Sequence, residues 1–195
     1  MNIVKLGSTI VLASVLLIGC NSENTAGTDA VAIGGTFQFY SPDGATEIFY
    51  PEEQRSQIKE ITGDSLTEPG QQIALSDYSD QIVVLNAWGQ WCAPCRSESD
   101  DLQEVQEYFE LAGSGTVLGI NIRDYNPDIS RDFLSDNGIT YPSIYDPPFK
   151  TAALLGGIPA SVVPTTIVLD RQHRPAAVFL REITAHELLN VVKDL

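Results

Sequence analysis

Apolar residues fall along this chain in two kinds of run. Residues 82–85, 116–122 and 165–169 are continuous, largely β-branched stretches with the length and texture of strands buried on both faces. Elsewhere apolar residues recur every three to four positions, the spacing of a helix with one face turned inward. Leu102, Val105, Phe109 and Leu111 mark such a face in a helix expected over 93–111, and Ile129, Phe133 and Leu134 mark another over 128–137. Gly113 with Gly115, and then Gly138, stand where these helices should stop. Leu188, Leu189, Val191 and Val192 supply the face of a last helix that opens on a capping-box pair, Thr184 with Glu187. Two aromatic and threonine-rich segments, 36–40 and 46–50, flank Ser41-Pro42-Asp43-Gly44, where proline pre-sets the backbone and glycine relieves the exit. They predict a β-hairpin ahead of the main body, covering an edge of its core. Residues 51–70 are polar and broken by Pro51, Gly63, Pro69 and Gly70, and read mostly as loop. Residues 73–75 read as a short strand, 151–155 as a short helix, and 171–175 as the turn of a terminal hairpin returning over 176–180. The order, βαβ followed by ββα, predicts an α/β fold.

With 195 residues, 43% hydrophobic and 19% charged, the chain suits one globular domain with appended pieces. Its formal charge of −15, from 26 acidic and 11 basic residues, repels phosphate backbones and sets nucleic acid aside as a partner. There are 3 cysteines, and the odd one is Cys20. It follows Lys5 and an apolar run over 10–18 that is short for a bilayer span but matches a signal-peptide core, so 1–19 are expected to be a signal peptide. Leu17-Ile18-Gly19-Cys20 resembles a bacterial lipobox, which implies lipidation of Cys20 and anchoring at the outer face of the cell membrane. An uncleaved anchor, or a free cysteine in an ordinary export signal, is the alternative. Residues 20–35 are small and polar without periodicity and read as a flexible tether. Residues 36–70 are then an N-terminal extension, and 71–195 the main domain.

The strand at 82–85 leads into Trp91-Cys92-Ala93-Pro94-Cys95-Arg96, with Pro94 where the first turn of a helix tolerates proline. A Cys-x-x-Cys is thereby delivered to a helix start, whose free N–H groups and positive dipole end favour a thiolate. Cys92 is the expected nucleophile. Cys95, one turn further in, is placed to attack a mixed disulfide formed there. Trp91 to Arg96 after an apolar strand resembles the active site of the thioredoxin superfamily, and Leu85-Asn86-Ala87-Trp88 with Arg96-Ser97-Glu98 is similar to its exported TlpA/ResA branch. The resemblance runs from about residue 73 to the C-terminus. It implies a thioredoxin-like fold, a central mixed sheet flanked by helices, with the branch's helical insertion around 133–146. It also implies a redox-active disulfide between Cys92 and Cys95, a cis peptide bond before Pro164 facing that pair, and substrate contacts from Trp91, Val163 and Thr165.

Where thioredoxin carries a buried aspartate, this chain has Asn86, which cannot titrate. Glu98, three residues after Cys95 on the same helical face, is then a candidate acid or base for the inner thiol, as in ResA-like proteins; the alternative is a glutamate that merely complements the helix dipole. Trp88 and Trp91 flank the pair or, equally, Trp88 is core and only Trp91 is exposed. Arg96 adds positive charge beside the thiolate or is a solvated surface residue. The expected function is a membrane-anchored, extracytoplasmic thiol:disulfide oxidoreductase needing no cofactor. The TlpA/ResA likeness implies reduction of the heme-attachment cysteines of apocytochrome c with electrons from a membrane thiol-transfer protein. General disulfide formation or repair in exported proteins is the competing substrate reading. A zinc site lacks its further ligands, since His173 and His186 lie far along the chain. A copper chaperone on this fold would space its cysteines as Cys-x-x-x-Cys with a downstream histidine. A peroxiredoxin would place Thr or Ser where Gly89 stands, three residues before the reactive cysteine.

Overall fold

The computed structural model describes residues 35–195, so the expected leader, Cys20 and the tether up to residue 34 lie outside the described residues. Eight strands run in order: β1 Glu47–Phe49, β2 Thr62–Asp64, β3 Gln72–Ala74, β4 Ile82–Trp88, β5 Gly115–Asn121, β6 Ser143–Tyr145, β7 Thr165–Leu169 and β8 Pro175–Phe179. Four helices lie among them: α1 Ala93–Ser97 and α2 Ser99–Ala112 between β4 and β5, α3 Pro127–Asp136 before β6, and α4 Ala185–Val192 after β8. Six strands form one mixed sheet in the order β1-β8-β7-β4-β5-β6. β4, β5 and β6 pair in parallel, whereas β7, β8 and β1 are antiparallel to their neighbours.

The central strand β4 is buried at every position, as its unbroken apolar run predicts. Its alternate side chains enter two cores. Ile82, Val84 and Trp88 pack with Leu102, Val105 and Phe109 of α2 and with Leu188 and Val192 of α4. Val83, Leu85 and Ala87 pack on the opposite face, where cover comes from Phe37, Tyr50, Ile58 and Ile61 of the N-terminal extension, from Ile73 and Leu75 just after it, and from Phe149, Ala152, Leu155 and Ile158. The extension therefore fills the place of a helical layer on that face, and shares one core with the sheet.

Several local expectations need correction. The hairpin between 36–40 and 46–50 does not form: 36–40 makes no strand, and β1 pairs instead with β8, Ile48 opposite Val178. Asp43 and Gly44 do turn the chain, at φ 51° and 73°, but they aim it onto the sheet edge. The extension's hairpin-like pair is β2 with β3, inside and just beyond a segment that read as loop. Polarity there masked Ile61 and Leu66, both fully buried. The single long helix is two, broken at Glu98 (ψ −6°), whose side chain turns inward. Leu111 is 91% exposed, because two steps beyond Phe109 carry it about 200° round the helix. In α3 the buried stripe runs through Ser130 and Leu134, leaving Ile129 49% exposed. The segment that read as an insertion carries the end of α3 and the parallel edge strand β6, and the short helix near 151 is a 3-10 turn over Lys150–Ala153.

Helix ends follow the sequence closely. Gly113 closes α2 in the left-handed region at φ 61°. At α4 the capping box forms: Glu187 Oε2 accepts from the Thr184 amide at 3.0 Å and from Thr184 Oγ1 at 2.8 Å. Thr184→Ala is expected to lower stability by about 1 kcal/mol, read as a lower urea midpoint with an unchanged slope.

Candidate active site

β4 ends at Trp88, and a tight turn through Gly89 and Gln90, closed by the Cys92 amide donating to the Gly89 carbonyl at 3.0 Å, presents Cys92 as the N-cap of α1. Cys92 and Cys95 are joined in a disulfide, with Cα atoms 5.3 Å apart. The Cys95 amide donates to Cys92 Sγ at 3.3 Å, so the helix start supplies a hydrogen bond to this sulfur. From the other side the Val163 carbonyl oxygen lies 3.8 Å from Cys92 Sγ. The sulfur carries no proton in the disulfide, so this is a contact; in the dithiol form the same carbonyl faces a thiol able to donate. The Val163–Pro164 peptide bond is cis, Pro164 is buried, and Thr165 is tied by its hydroxyl to the Val162 carbonyl at 3.0 Å. The structure thus brings Cys92, Cys95, Val163, Pro164 and Thr165 to one place, from segments some seventy residues apart.

Behind the disulfide lies a buried polar group. Glu98 is 0% exposed; its Oε1 accepts from Asn86 Nδ2 at 2.7 Å and its Oε2 from the Ile183 amide at 3.0 Å. Burial pushes its carboxyl up to about 8, against the lowering effect of those two hydrogen bonds. The glutamate is therefore far from a solvated residue at a helix end. Asn86 Nδ2 also donates to Thr166 Oγ1 at 3.0 Å, and Asn86 Oδ1 has no partner. Tyr141, also buried, has its phenol raised first by burial and then by the charges of Glu98 and Asp100. Thr166, Ile183 and Tyr141 escaped the sequence reading, since no local pattern ties residues so far apart to Glu98.

The two tryptophans part ways. Trp88 is core, its Nε1 donating to Ser143 Oγ at 3.3 Å, whereas Trp91 is 45% exposed beside the disulfide. Trp91 Nε1 donates to the Ile122 carbonyl at 3.1 Å, and Arg96 reaches back to the Gln90 carbonyl at 2.8 Å. Gly89 is required here: a Cβ at this position would collide with Trp91 Nε1 and approach the Ile122 carbonyl to 2.9 Å. The threonine or serine of a peroxidase cannot be seated there without moving Trp91. Gly89→Ala is expected to cost about 1–3 kcal/mol and to red-shift the tryptophan emission as Trp91 leaves its site. Of the histidines, His173 Nε2 lies 3.1 Å from the Tyr78 carbonyl, and His186 sits on α4 beside Asn190. The hollow of about 590 Å³ between β1, β8 and α4 includes none of these site residues.

A dithiol/disulfide pair at a helix start, with a cis-proline strand against it on a mixed sheet, defines a thioredoxin-like thiol-disulfide oxidoreductase. The AhpC/TSA family model matches residues 55–174, and the chain belongs to that family. Thiol-disulfide oxidoreductase ResA of Bacillus subtilis is 25% identical over 127 residues, 64% of this chain and 68% of its own. Among solved structures, a DsbF homologue from Corynebacterium diphtheriae is 69% identical with a TM-score of 0.79, covering 83% of this chain and 100% of that one. A secreted thiol-disulfide isomerase from Corynebacterium glutamicum is also 69% identical, TM-score 0.79, covering 81% and 96%.

Proposed function

We propose that this oxidoreductase works outside the cytoplasm, held to the outer face of the cell membrane by a lipid on Cys20, and exchanges disulfides in exported polypeptides. The observation that carries the exchange chemistry is the polarity around Cys92 Sγ: the Cys95 amide points at it, and the Val163 carbonyl lies beside it, next to the exposed Trp91. In the reductive direction the Cys92 thiolate attacks a substrate disulfide, forming a mixed disulfide and releasing one substrate thiolate. Cys95, losing its proton, then attacks Cys92 Sγ, which forms the intramolecular disulfide and expels the second substrate thiolate. Glu98, with its pKa near the thiol range, takes the role of proton reservoir for Cys95. Trp91, Val163 and Thr165 line the approach for the substrate segment. Secretion of the Corynebacterium glutamicum isomerase supports the location, and the apolar leader ending at Cys20 supports the anchor. Among the described residues no helix is long and apolar enough to cross a membrane.

The ResA likeness supports a narrower second reading, reduction of apocytochrome c cysteines with electrons from a membrane thiol-transfer protein. Equilibration with glutathione and dithiothreitol couples, followed by tryptophan emission, separates the two. General disulfide exchange in exported proteins expects a potential nearer DsbA's (about −120 mV) than thioredoxin's (about −270 mV). A value at the thioredoxin end transfers the assignment to the reductive reading, and absence of any reversible couple overturns both.

A further inference from the structure

The segment after β5 does more than connect. Arg123 sits in the left-handed region at φ 56°, a conformation that costs an arginine free energy and persists when its surroundings hold it. They do: its amide donates to the Pro147 carbonyl at 2.9 Å, its guanidinium lies 5.6 Å from the centroid of the Trp91 ring, and its NH2 group donates to the Ala160 carbonyl. Next to it, the buried Asp124 turns its carboxylate inward, where Oδ2 accepts from the Gln90 amide, Asn121 Nδ2 and Ser130 Oγ. The loop thus grips Gln90 and Trp91 on one side, while its arginine reaches the segment leading into Val163 on the other. Arg123 thereby joins Trp91, the neighbour of Cys92, to Ala160, three residues before Val163.

The six ion pairs among the described residues engage Arg55, Arg131, Arg174 and Arg181, and none engages Arg123. Arg96, exposed and bonded to the Gln90 carbonyl, is likewise in none of them. On a chain of formal charge −15, two exposed guanidiniums free of carboxylates border the exposed indole at the mouth of the site. With one donor spent on Ala160, the planar fork of Arg123 keeps further N–H groups for an incoming acceptor.

We propose that Arg123 is a specificity-determining residue that binds a carboxylate of the substrate, so that polypeptide disulfides with an Asp or Glu beside the attacked cysteine are preferred. The exposed part of the Trp91 indole gives the segment apolar contact, and Arg123, stacked on that ring, presents its remaining N–H groups to the segment's carboxylate. Elsewhere the acidic surface repels such a substrate, so the local cation selects the site as well as the partner. This rests on the reading that the site takes polypeptide disulfides.

The test uses the full chain, reduced, with three peptides whose single cysteine is capped by 2-mercaptoethanol and followed by Asp, Asn or Lys. Each kcat/KM is divided by the rate with dithiothreitol, which cancels the peptide's intrinsic reactivity. Wild type is expected to favour the Asp peptide over the Asn peptide about fivefold, mainly through KM, with the preference falling as salt is raised. Arg123→Gln should bring the ratio close to one, Arg123→Lys should keep most of it, and Arg123→Glu should invert it toward Lys, which loss of loop order alone cannot do. A wild-type ratio of one, or a ratio unchanged in Arg123→Gln, overturns the role of Arg123. Wild type inert toward all three peptides overturns the polypeptide reading together with it.

Discussion

Cys92→Ser is expected to lower thiol-disulfide exchange by at least about a thousandfold, whereas Cys95→Ser should still react once and then stall. The two cysteines are almost equally hidden, at 5% and 3% exposure, so burial does not assign their roles. The polar contacts do. Only the Cys92 sulfur receives an amide hydrogen bond from the helix start and faces the Val163 carbonyl, the polar setting that favours its thiolate as the attacking group. A serine hydroxyl at 92 is far less ionised near neutral pH than a thiol there, and the first covalent bond is not made. With serine at 95 that bond forms normally, but nothing resolves it, so a mixed disulfide on Cys92 accumulates. Mass analysis of Cys95→Ser protein after exposure to a peptide disulfide should find one adduct, on Cys92. Substantial exchange by Cys92→Ser, or an adduct on Cys95 in that variant, would reverse the assignment.

Raising the pH from 5.5 to 8 should destabilise the oxidised protein by about 3 kcal/mol through Glu98 alone. The ordinary value of this carboxyl is 4.5, and burial in the fold lifts it to about 8. Between those values the unfolded chain has given up a proton that the folded chain retains, so the contribution of Glu98 is full below pH 4.5 and is lost as pH climbs through 8. Glu98→Gln should remove this slope and leave the variant at least as stable as wild type at pH 8. The substitution has somewhere to put its amide, because turning over Asn86 would offer the Asn86 Oδ1 that now lacks a partner. Urea unfolding at the two pH values reads the difference, and parallel pH curves for the two proteins would show that Glu98 is not the group responsible. The same variant should shift the pH dependence of exchange if Glu98 buffers the Cys95 proton.

How much of this was readable in advance depended on whether the signal was local. β4, the cysteine pair, Pro164 and the capped start of α4 each announce themselves within a few residues, because strand burial, helix capping and proline geometry are short-range requirements. The TlpA/ResA likeness then supplied the architecture. What failed were inferences about partners. The segment 46–50 reads as a strand, but nothing near it says that its mate is 175–179. Glu98 was suspected, yet its burial depends on Asn86, Thr166 and Ile183, which meet only once the sheet is assembled. Apolar spacing places Leu111 and Ile129 on the inner faces of their helices, yet both are exposed, Leu111 lying outside the stripe through Phe109 and Ile129 outside the stripe through Ser130 and Leu134. Arg123 and Asp124 carry no recognisable motif, and their importance appears only from the contacts each makes with the Trp91 turn.

The pairing of β1 with β8 joins strands from opposite ends of the described chain. During synthesis on a ribosome the first of these segments emerges well before the last. Phe37, Tyr50, Ile58 and Ile61 can meet one another early, but their shared core stays open until Val178 arrives. During that interval the nascent protein displays an oily, strand-forming surface, the condition under which chaperone capture and misassociation compete with folding.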